Sequence, residues 1–450
     1  MSWDFSTDAE FQQKLDWMRG FVREEIEPIT LLWPDLHHRR PEPWLRKIVD
    51  PLKREVKARG LWACHLGPEL GGQGYGQVKL ALMNEIVGPQ WWAQTIFGIQ
   101  GPDTSNAVVL ARYGTPAQKE RYLQPLLAGE AFSCFSMTEP QGGADPGQFR
   151  TRAVRDGDCW ILNGEKFYSS NAQNAQFLLV VAITNPDVPV HEGASIFLVP
   201  RDAPGFEVVR PTENMGHPEQ GTEFGHPHVR YRDVRLPADS LLGPAGKGFE
   251  VAQSRLANGR IYHSARTVGI CQWALDMMCE RALSRETSGG ALADKQAVQQ
   301  MIATSYAEIQ QFRLLVLYTA WQIDQSGGRS TPKLRQDIAA CKTQAYKLHR
   351  DVVERAVHLH GALGCSNEMP LGRLWMEAPT QGVMDGPYEV HQLTTARNLL
   401  KNYRPAPGLW PTEWLPEKRA AARCRFAETL AEQAAFNQRS DGAADGGRGS

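Results

Sequence analysis

The chain reads as a mostly α-helical protein with a central β domain. Three observations predict this class: an amphipathic helical start, a middle stretch of short strand-like runs bounded by Gly, Pro or Asp, and long apolar stripes at helical spacing after residue 248. A chain of 450 residues exceeds what one hydrophobic core usually serves. The expected units are an N-terminal helical domain at 1–130, a central β domain at 131–240, a four-helix bundle at 241–402, and a helical extension with a disordered tail at 403–450.

In the first unit, AEFQQKLDWMRGFVREEI places Phe11, Leu15, Met18 and Phe21/Val22 on one stripe, and the segment should end near Pro28. LGPELGGQGYGQ (66–77) is Gly-rich, but it lacks both the order G-x-G-x-x-G and a Lys-Ser/Thr partner for phosphate, so it reads as a turn before the helical run VKLALMNEIV. In the second unit, Asn163-Gly164 within WILNGEKFY is a hairpin-type signal, and FLLVVAI, SIFLVP, FEVV and HVRYRDVRLP follow as strands. In the third, Ile261, Ala265, Val268, Leu275, Met278 and Ala282 form one stripe. Val298, Ile302, Ile309, Val316 and Ile323 form a second, ended by Gly327-Gly328. Leu334, Ile338, Cys341, Ala345, Leu348 and Val352 form a third, and the run after Pro387 supplies a fourth helix. EKRAAARCRFAETLAEQAAF gives a last amphipathic piece before SDGAADGGRGS, which is expected to be disordered.

Formal net charge is −1, so no global field draws the chain to nucleic acid or an anionic membrane. The eight cysteines contain no C-x-x-C pair, which argues against a zinc site or a disulfide scaffold and for a reduced, cytoplasmic protein. The start carries acids and no apolar core, so a secretory signal is not expected. FLLVVAI is far shorter than the roughly twenty residues a membrane span needs.

VMDGPYEVHQL raises the question of chemistry. Asp385 stands before Gly386-Pro387, at the lip of a helix, where an acid either caps exposed N–H groups or is left free to act as a base. Glu389, one turn on, is the rival. Five further stretches bear on it: CFSMTEPQGGAD (134–145), NGEKFYSSNA (163–172), GPAGKGFEVAQSRLANGRIYHSARTVG (243–269), SRETSGGALADKQAV (284–298) and AVHLHGALGCSNEMPLGRLWMEA (356–378).

With the helical–β–helical order, these stretches resemble the acyl-CoA dehydrogenase family over about 5–402, most of all its ten/eleven-type branch. The resemblance implies that family's fold, with a small β-barrel domain between an N-terminal helical domain and a C-terminal four-helix bundle. It implies FAD as cofactor, an acyl-CoA substrate, electron-transfer flavoprotein as acceptor, and a homodimer or homotetramer. Asp385 takes the position of the family's base. Cofactor contacts are implied at Phe135, Met137, Thr138, Ala144, Tyr168, Ser170, Arg285, Gln296, His358, Gly361, Ala362, Pro387 and Glu389, and substrate contacts at Ala144, Arg260 and Gly386. Tyr168 replaces a Trp that packs on the flavin, and Ser170 a Thr at its N5 region. Arg285 corresponds to an Arg that reaches the FAD pyrophosphate of a neighbouring subunit, where a planar guanidinium suits a phosphate.

Ala144 stands where the family has Ser, Ala257 where it has an acid, Ser288 where it has Phe, His358 where it has Gln, and Pro387 where it has Thr. Gly361 and Gly364 would let the chain approach FAD closely. His358 and His360, two apart on a helix, point different ways and make no metal pair. The implied reaction is α,β-dehydrogenation of an acyl-CoA to the trans-2-enoyl-CoA. An acyl-CoA oxidase-like or nitroalkane oxidase-like flavoenzyme, the latter with an Asp base, and a non-catalytic subunit are the alternatives.

Overall fold

The computed structural model describes residues 5–37, 42–68, 72–212, 214–215, 225–327 and 331–445. Residues 69–71 of the Gly-rich loop, Gly328 and the last five residues of the tail lie outside these, as do the side chains of 256–258 and with them Ala257. The chain divides into two units, Met1–Asn398 and Leu399–Ser450.

Helix Ala9–Phe21 starts on Asp8, whose carboxylate accepts from Phe11 N at 2.8 Å, and buries the expected Phe11, Leu15, Met18 and Phe21. It does not stop near Pro28. A widened π turn, Val22–Ile26, follows, and helix Glu27–Leu32 takes Pro28 in its first turn, where a missing N–H costs nothing. Helix Gly76–Val87 starts on a carboxylate from far along the chain: Asp324 accepts from Gln77 N at 2.7 Å and Val78 N at 3.1 Å.

The strands pair in the order Phe206–Arg210, His228–Pro237, Cys159–Lys166, Arg152–Asp156, Phe177–Ile183, Ala194–Pro200, Leu241–Leu242, with Ser133–Ser136 parallel to Phe177–Ile183. FLLVVAI is buried at every residue. The hairpin turn lies elsewhere than expected. Asp156 pairs with Cys159 across Gly157-Asp158, with Gly157 at φ +59°. Asn163-Gly164 sits inside a strand at a register shift against His228–Pro237, and a Cβ on Gly164 would lie 2.5 Å from Thr151 Oγ1. That glycine serves a bulge and a close approach, not a turn.

Helices Gly248–Ser284, Gln296–Gln325 and Pro332–His360 carry the three stripes. The fourth helix packed on them is Leu371–Val383, against Pro332–His360, rather than the run after Pro387. Helix Tyr388–Leu400 buries only His391 among its side chains. Helix Gly76–Val87 packs on the first two bundle helices.

In the second unit, helices Leu415–Arg425 and Ala427–Asp445 meet at Phe426. The tail expected to be disordered from Ser440 is helical as far as Asp445, so the Ala- and Glu-rich run carries the helix past the first glycine.

Candidate functional site

Asp385 follows helix Leu371–Val383 in the left-handed region, at φ +54°, and Gly386 follows at φ +98°. Two side chains pin this turn by its carbonyl: Arg260 Nε donates to Asp385 O at 3.2 Å, and His391 Nε2 lies 3.2 Å from the same oxygen. The next helix starts at Tyr388, one residue past Pro387, whose carbonyl accepts from Val390 N and His391 N. The Asp385 side chain is thus not spent on capping. It is 21% exposed, whereas Glu389 is exposed on the helix surface.

The carboxylate lies over one face of helix Gly248–Ser284. Arg255, Gly259 and His263 follow one another at intervals of four and so share that face. A Cβ on Gly259 would sit 3.4 Å from Asp385 Oδ2 and 3.4 Å from Ser105 Oγ, and His263 Nε2 is 3.7 Å from Oδ2. Lys342, buried in helix Pro332–His360, donates to the carbonyl of Gln381 at the end of the preceding helix.

Burial pushes the Asp385 carboxyl up, but His263, Arg255, Lys342 and Arg260 together outweigh it and hold the group below the usual aspartate value. His263 is itself pushed down to about 3 by burial, so at neutral pH the holding charges are the two arginines and Lys342. Burial brings Lys342 down to about 8. Arg260, expected near the substrate, therefore acts here on the turn that carries Asp385.

Arg255, one helical turn before Gly259 on the same face, contacts the β domain. Its guanidinium lies 4.0 Å from the ring centre of Phe135, in strand Ser133–Ser136. That strand runs into Met137 and Thr138, and Thr138 O accepts from Phe167 N at 2.8 Å. The two loops are locked by a pair that sequence reasoning passed over. Lys166 Nζ donates to Met137 O at 2.7 Å and Glu139 Oε1 at 2.8 Å, with the Lys and Glu side chains 0% and 1% exposed. Glu139 also accepts from Arg150 N and Thr151 N. Burial pushes Lys166 down to about 8; burial pushes Glu139 up, but Lys166 holds it below its ordinary value, so both are charged at neutral pH. The signal was present in the TEP and NGEK runs, but their charges were not read as partners.

Tyr168 stands at φ +54°, half exposed, its ring 4.3 Å from that of Phe167. Ser170 Oγ lies 2.7 Å from His226 Nδ1, and burial pushes that imidazole down to about 4. Asn171, at φ +64° and 2% exposed, has both side-chain polar atoms unpartnered. A buried amide without partners beside an exposed aromatic face and two hydroxyl residues suits a flat heteroaromatic group with a polar edge, as an isoalloxazine is. Ala144 is exposed on the same Gly-rich turn.

Arg285, Gln296, His358, Gly361 and Ala362 are exposed and stand apart from Asp385. The three long helices alternate in direction through short links, so the end of the first, the start of the second and the end of the third share one end of the bundle. From Gly259 to Arg285 the helix rises about 40 Å at 1.5 Å per residue. Gly361, at φ +64°, has open space where a Cβ would be, but a Cβ on Gly364 would lie 2.6 Å from Val357 O, so that glycine serves the packing of its own chain. His358 is exposed while His360 is buried with Nδ1 2.8 Å from Ala356 O, as their spacing required. Among the described residues no group of three or more His, Cys, Asp or Glu could hold a metal, and no helix is long and apolar enough to cross a membrane.

Family descriptions of the N-terminal, middle and C-terminal domains of acyl-CoA dehydrogenase match residues 8–130, 134–229 and 246–400. The Mycobacterium tuberculosis protein named "Probable acyl-CoA dehydrogenase FadE2" is 39% identical over 85% of its own length and 78% of this chain (357 aligned residues). Acyl-CoA dehydrogenase family member 10 of Mus musculus is 37% identical over 85% of this chain, which spans 36% of the mouse protein's length. The structure of butyryl-CoA dehydrogenase from Megasphaera elsdenii superposes with a TM-score of 0.74 at 26% identity, over 88% of this chain and all of that one.

Proposed function

The chain belongs to the acyl-CoA dehydrogenase family, and from that premise we propose that it dehydrogenates an acyl-CoA thioester at Cα–Cβ to the trans-2-enoyl-CoA. The observation that carries this reading is the Asp385 carboxylate, enclosed and kept ionised over a helix face whose nearest position is a glycine. Asp385 takes the α-proton onto a carboxylate oxygen. It must be charged to do so, and Arg255, Lys342 and Arg260 keep it charged at neutral pH. Arg260 and His391 hold the strained turn so that the carboxylate keeps its aim. Asp is one methylene shorter than Glu, about 1.5 Å of reach. Gly259 offsets the difference by leaving room for the substrate carbon to come close.

FAD fits the residues present. Met137, Thr138, Tyr168, Ser170 and Asn171 would hold its ring system, with Phe135 behind them. Bound FAD supplies the acceptor for the β-hydride. If His226 carries its proton on Nδ1, Ser170 keeps its own hydroxyl proton for the bound group. Arg285, some 40 Å along the helix from Gly259, with Gln296 and the 358–362 turn at the same bundle end, would serve the cofactor of a second copy. A homodimer or homotetramer follows, with electron-transfer flavoprotein as the expected acceptor.

Anaerobic mixing with a panel of acyl-CoAs tests the reading. Loss of the oxidised flavin absorbance with at least one of them is expected, followed by reoxidation by electron-transfer flavoprotein faster than by oxygen. Rapid turnover with oxygen would make the chain an oxidase. Purification without FAD and no uptake of it would make it a non-catalytic subunit.

A further inference from the structure

A hydrogen-bonded file runs from the active-site arginine into the body of the protein, and from Arg255 through to Asp103 each donor points the same way. Arg255 Nε donates to Asn106 Oδ1 at 2.8 Å. Asn106 Nδ2 donates to Ser133 Oγ at 2.9 Å. Ser133 donates to Asp103 Oδ1 twice, from Oγ at 2.5 Å and from its backbone N at 2.7 Å. Gln100 Nε2 donates to Asp103 Oδ2 at 3.0 Å. A cation stands at one end and a carboxylate at the other, and Asn106 and Ser133 between them are 0% exposed. The direction is fixed by chemistry. Arg255 can only donate, so Asn106 must present its oxygen to it and its NH2 to Ser133. Ser133 then spends its one proton on Asp103.

We infer that Asp103 is a positioning residue for the base: through Ser133 and Asn106 it fixes the Arg255 guanidinium, which springs from the helix one turn before Gly259, the position the Asp385 carboxylate overlies. The inference rests on Asp385 as the base only for its consequence in turnover, not for the file itself. A buried guanidinium free to rotate would be a poor fixed charge. Here Nε is tied to Asn106 and the planar face lies on Phe135, so the charge keeps one place. Helix Asp103–Tyr113 supplies Asp103 for the acid end of the file, Asn106 for its middle, and Ser105 for the face opposite Gly259.

Other charges meet at the two ends. Asp385 is faced by Arg255, Arg260 and His263 from helix Gly248–Ser284, by Lys342 from Pro332–His360, and by His391 from Tyr388–Leu400. Arg255 feels the charges of Asp385 and Asp103, while burial keeps the Cys134 thiol protonated. Asp103 feels Lys53 from helix Pro43–Ala58, and burial raises its carboxyl to about 6 against its hydrogen bonds from Ser133 and Gln100. Asp103 is therefore charged at neutral pH and neutral in mild acid, but a protonated carboxyl keeps an acceptor oxygen for Ser133, so the file still holds Arg255 in the acid range where Asp385 titrates.

The test reads Asp385 itself. Infrared difference spectra of the purified full chain against Asp385→Asn, recorded over a pH series, give the midpoint at which its carboxyl band appears. Arg255→Gln should raise that midpoint by about one unit, the low end of what a lost opposite charge does. Ser133→Ala removes a single oxygen that touches neither Arg255 nor Asp385, and it should shift the midpoint the same way by a smaller amount. Asn106→Leu should shift it about as far as Arg255→Gln. If Asn106→Leu fails to fold, Ser133→Ala decides alone. A midpoint in Ser133→Ala equal to that of the parent would overturn the inference, as would no shift in Arg255→Gln. The readout does not depend on catalysis. Normal turnover by Asp385→Asn would remove the base and leave the file standing, whereas an unmoved midpoint would remove the file and leave the base.

Discussion

At φ +54°, Asp385 holds a backbone conformation that a residue with a side chain adopts at a cost of about 1 kcal/mol or more. Arg260 and His391 sustain it through the carbonyl, and the side chain is left over for other use. The sequence favoured Asp385 over Glu389 only by its place before Gly386, because both are acids at a helix start; the proposal that Asp385 is the base draws on its enclosure and cationic neighbours, and neither is visible in a string of letters. Gly259 has a role of the same kind. Its contribution is an absent side chain 3.4 Å from the carboxylate oxygen. Gly259→Val should keep the helix, since helix Gly248–Ser284 runs on for many turns, yet displace the carboxylate and lower kcat/KM by roughly tenfold or more, as a misplacement near 1 Å can. Parent-like kcat/KM in that variant would show that the space is not used.

Among the elements, the long stripes were legible because period and length agree: Ile261, Ala265, Val268, Leu275, Met278 and Ala282 are all buried. FLLVVAI was legible for the same reason, as a short run apolar throughout. What escaped were features whose partners lie far away in the chain. The helix Gly76–Val87 is capped by Asp324, almost 250 residues on, and no local pattern announces it. Asn163-Gly164 has the letters of a hairpin turn, but Thr151 and strand His228–Pro237 decide that it is a bulge. The Lys166–Glu139 pair locks the two loops assigned to the flavin. Lys166→Met would leave Glu139 buried and unpaired, at a cost of about 3–5 kcal/mol in unfolding free energy. Denaturant unfolding should show that loss, with much of it recovered in the double variant Lys166→Met, Glu139→Gln. Equal losses in the single and double variants would mean the pair is not the lock.

For the whole of the main unit, buried imidazoles set the response to acid. Burial brings His65, His226 and His349 down to about 4 and His263 to about 3 from an ordinary 6.5. Below pH 6.5 the unfolded chain takes up protons that the folded one refuses until about pH 4, so stability present above 6.5 drains away as the pH falls through that window. Asp385, held below its ordinary value, adds a loss only at more acid pH. A calorimetric series should show the melting temperature dropping steeply between pH 6.5 and 4, and a flat profile there would contradict the burial of these rings. The composition argued against a disulfide scaffold at this scale, and all eight cysteines are free. It could not foretell that His65, His226, His263, His349 and His391 would be held neutral by their surroundings, since a lone His in an apolar stretch carries no mark of them.

The central claim is that Asp385 takes the proton from the substrate carbon. Its most direct test is stopped-flow flavin absorbance after anaerobic mixing of Asp385→Asn with an acyl-CoA that reduces the parent protein. The variant should purify with its FAD and be reduced at least about a hundredfold more slowly, as loss of a general base entails. Reduction of the FAD-loaded variant at the parent rate would contradict the account.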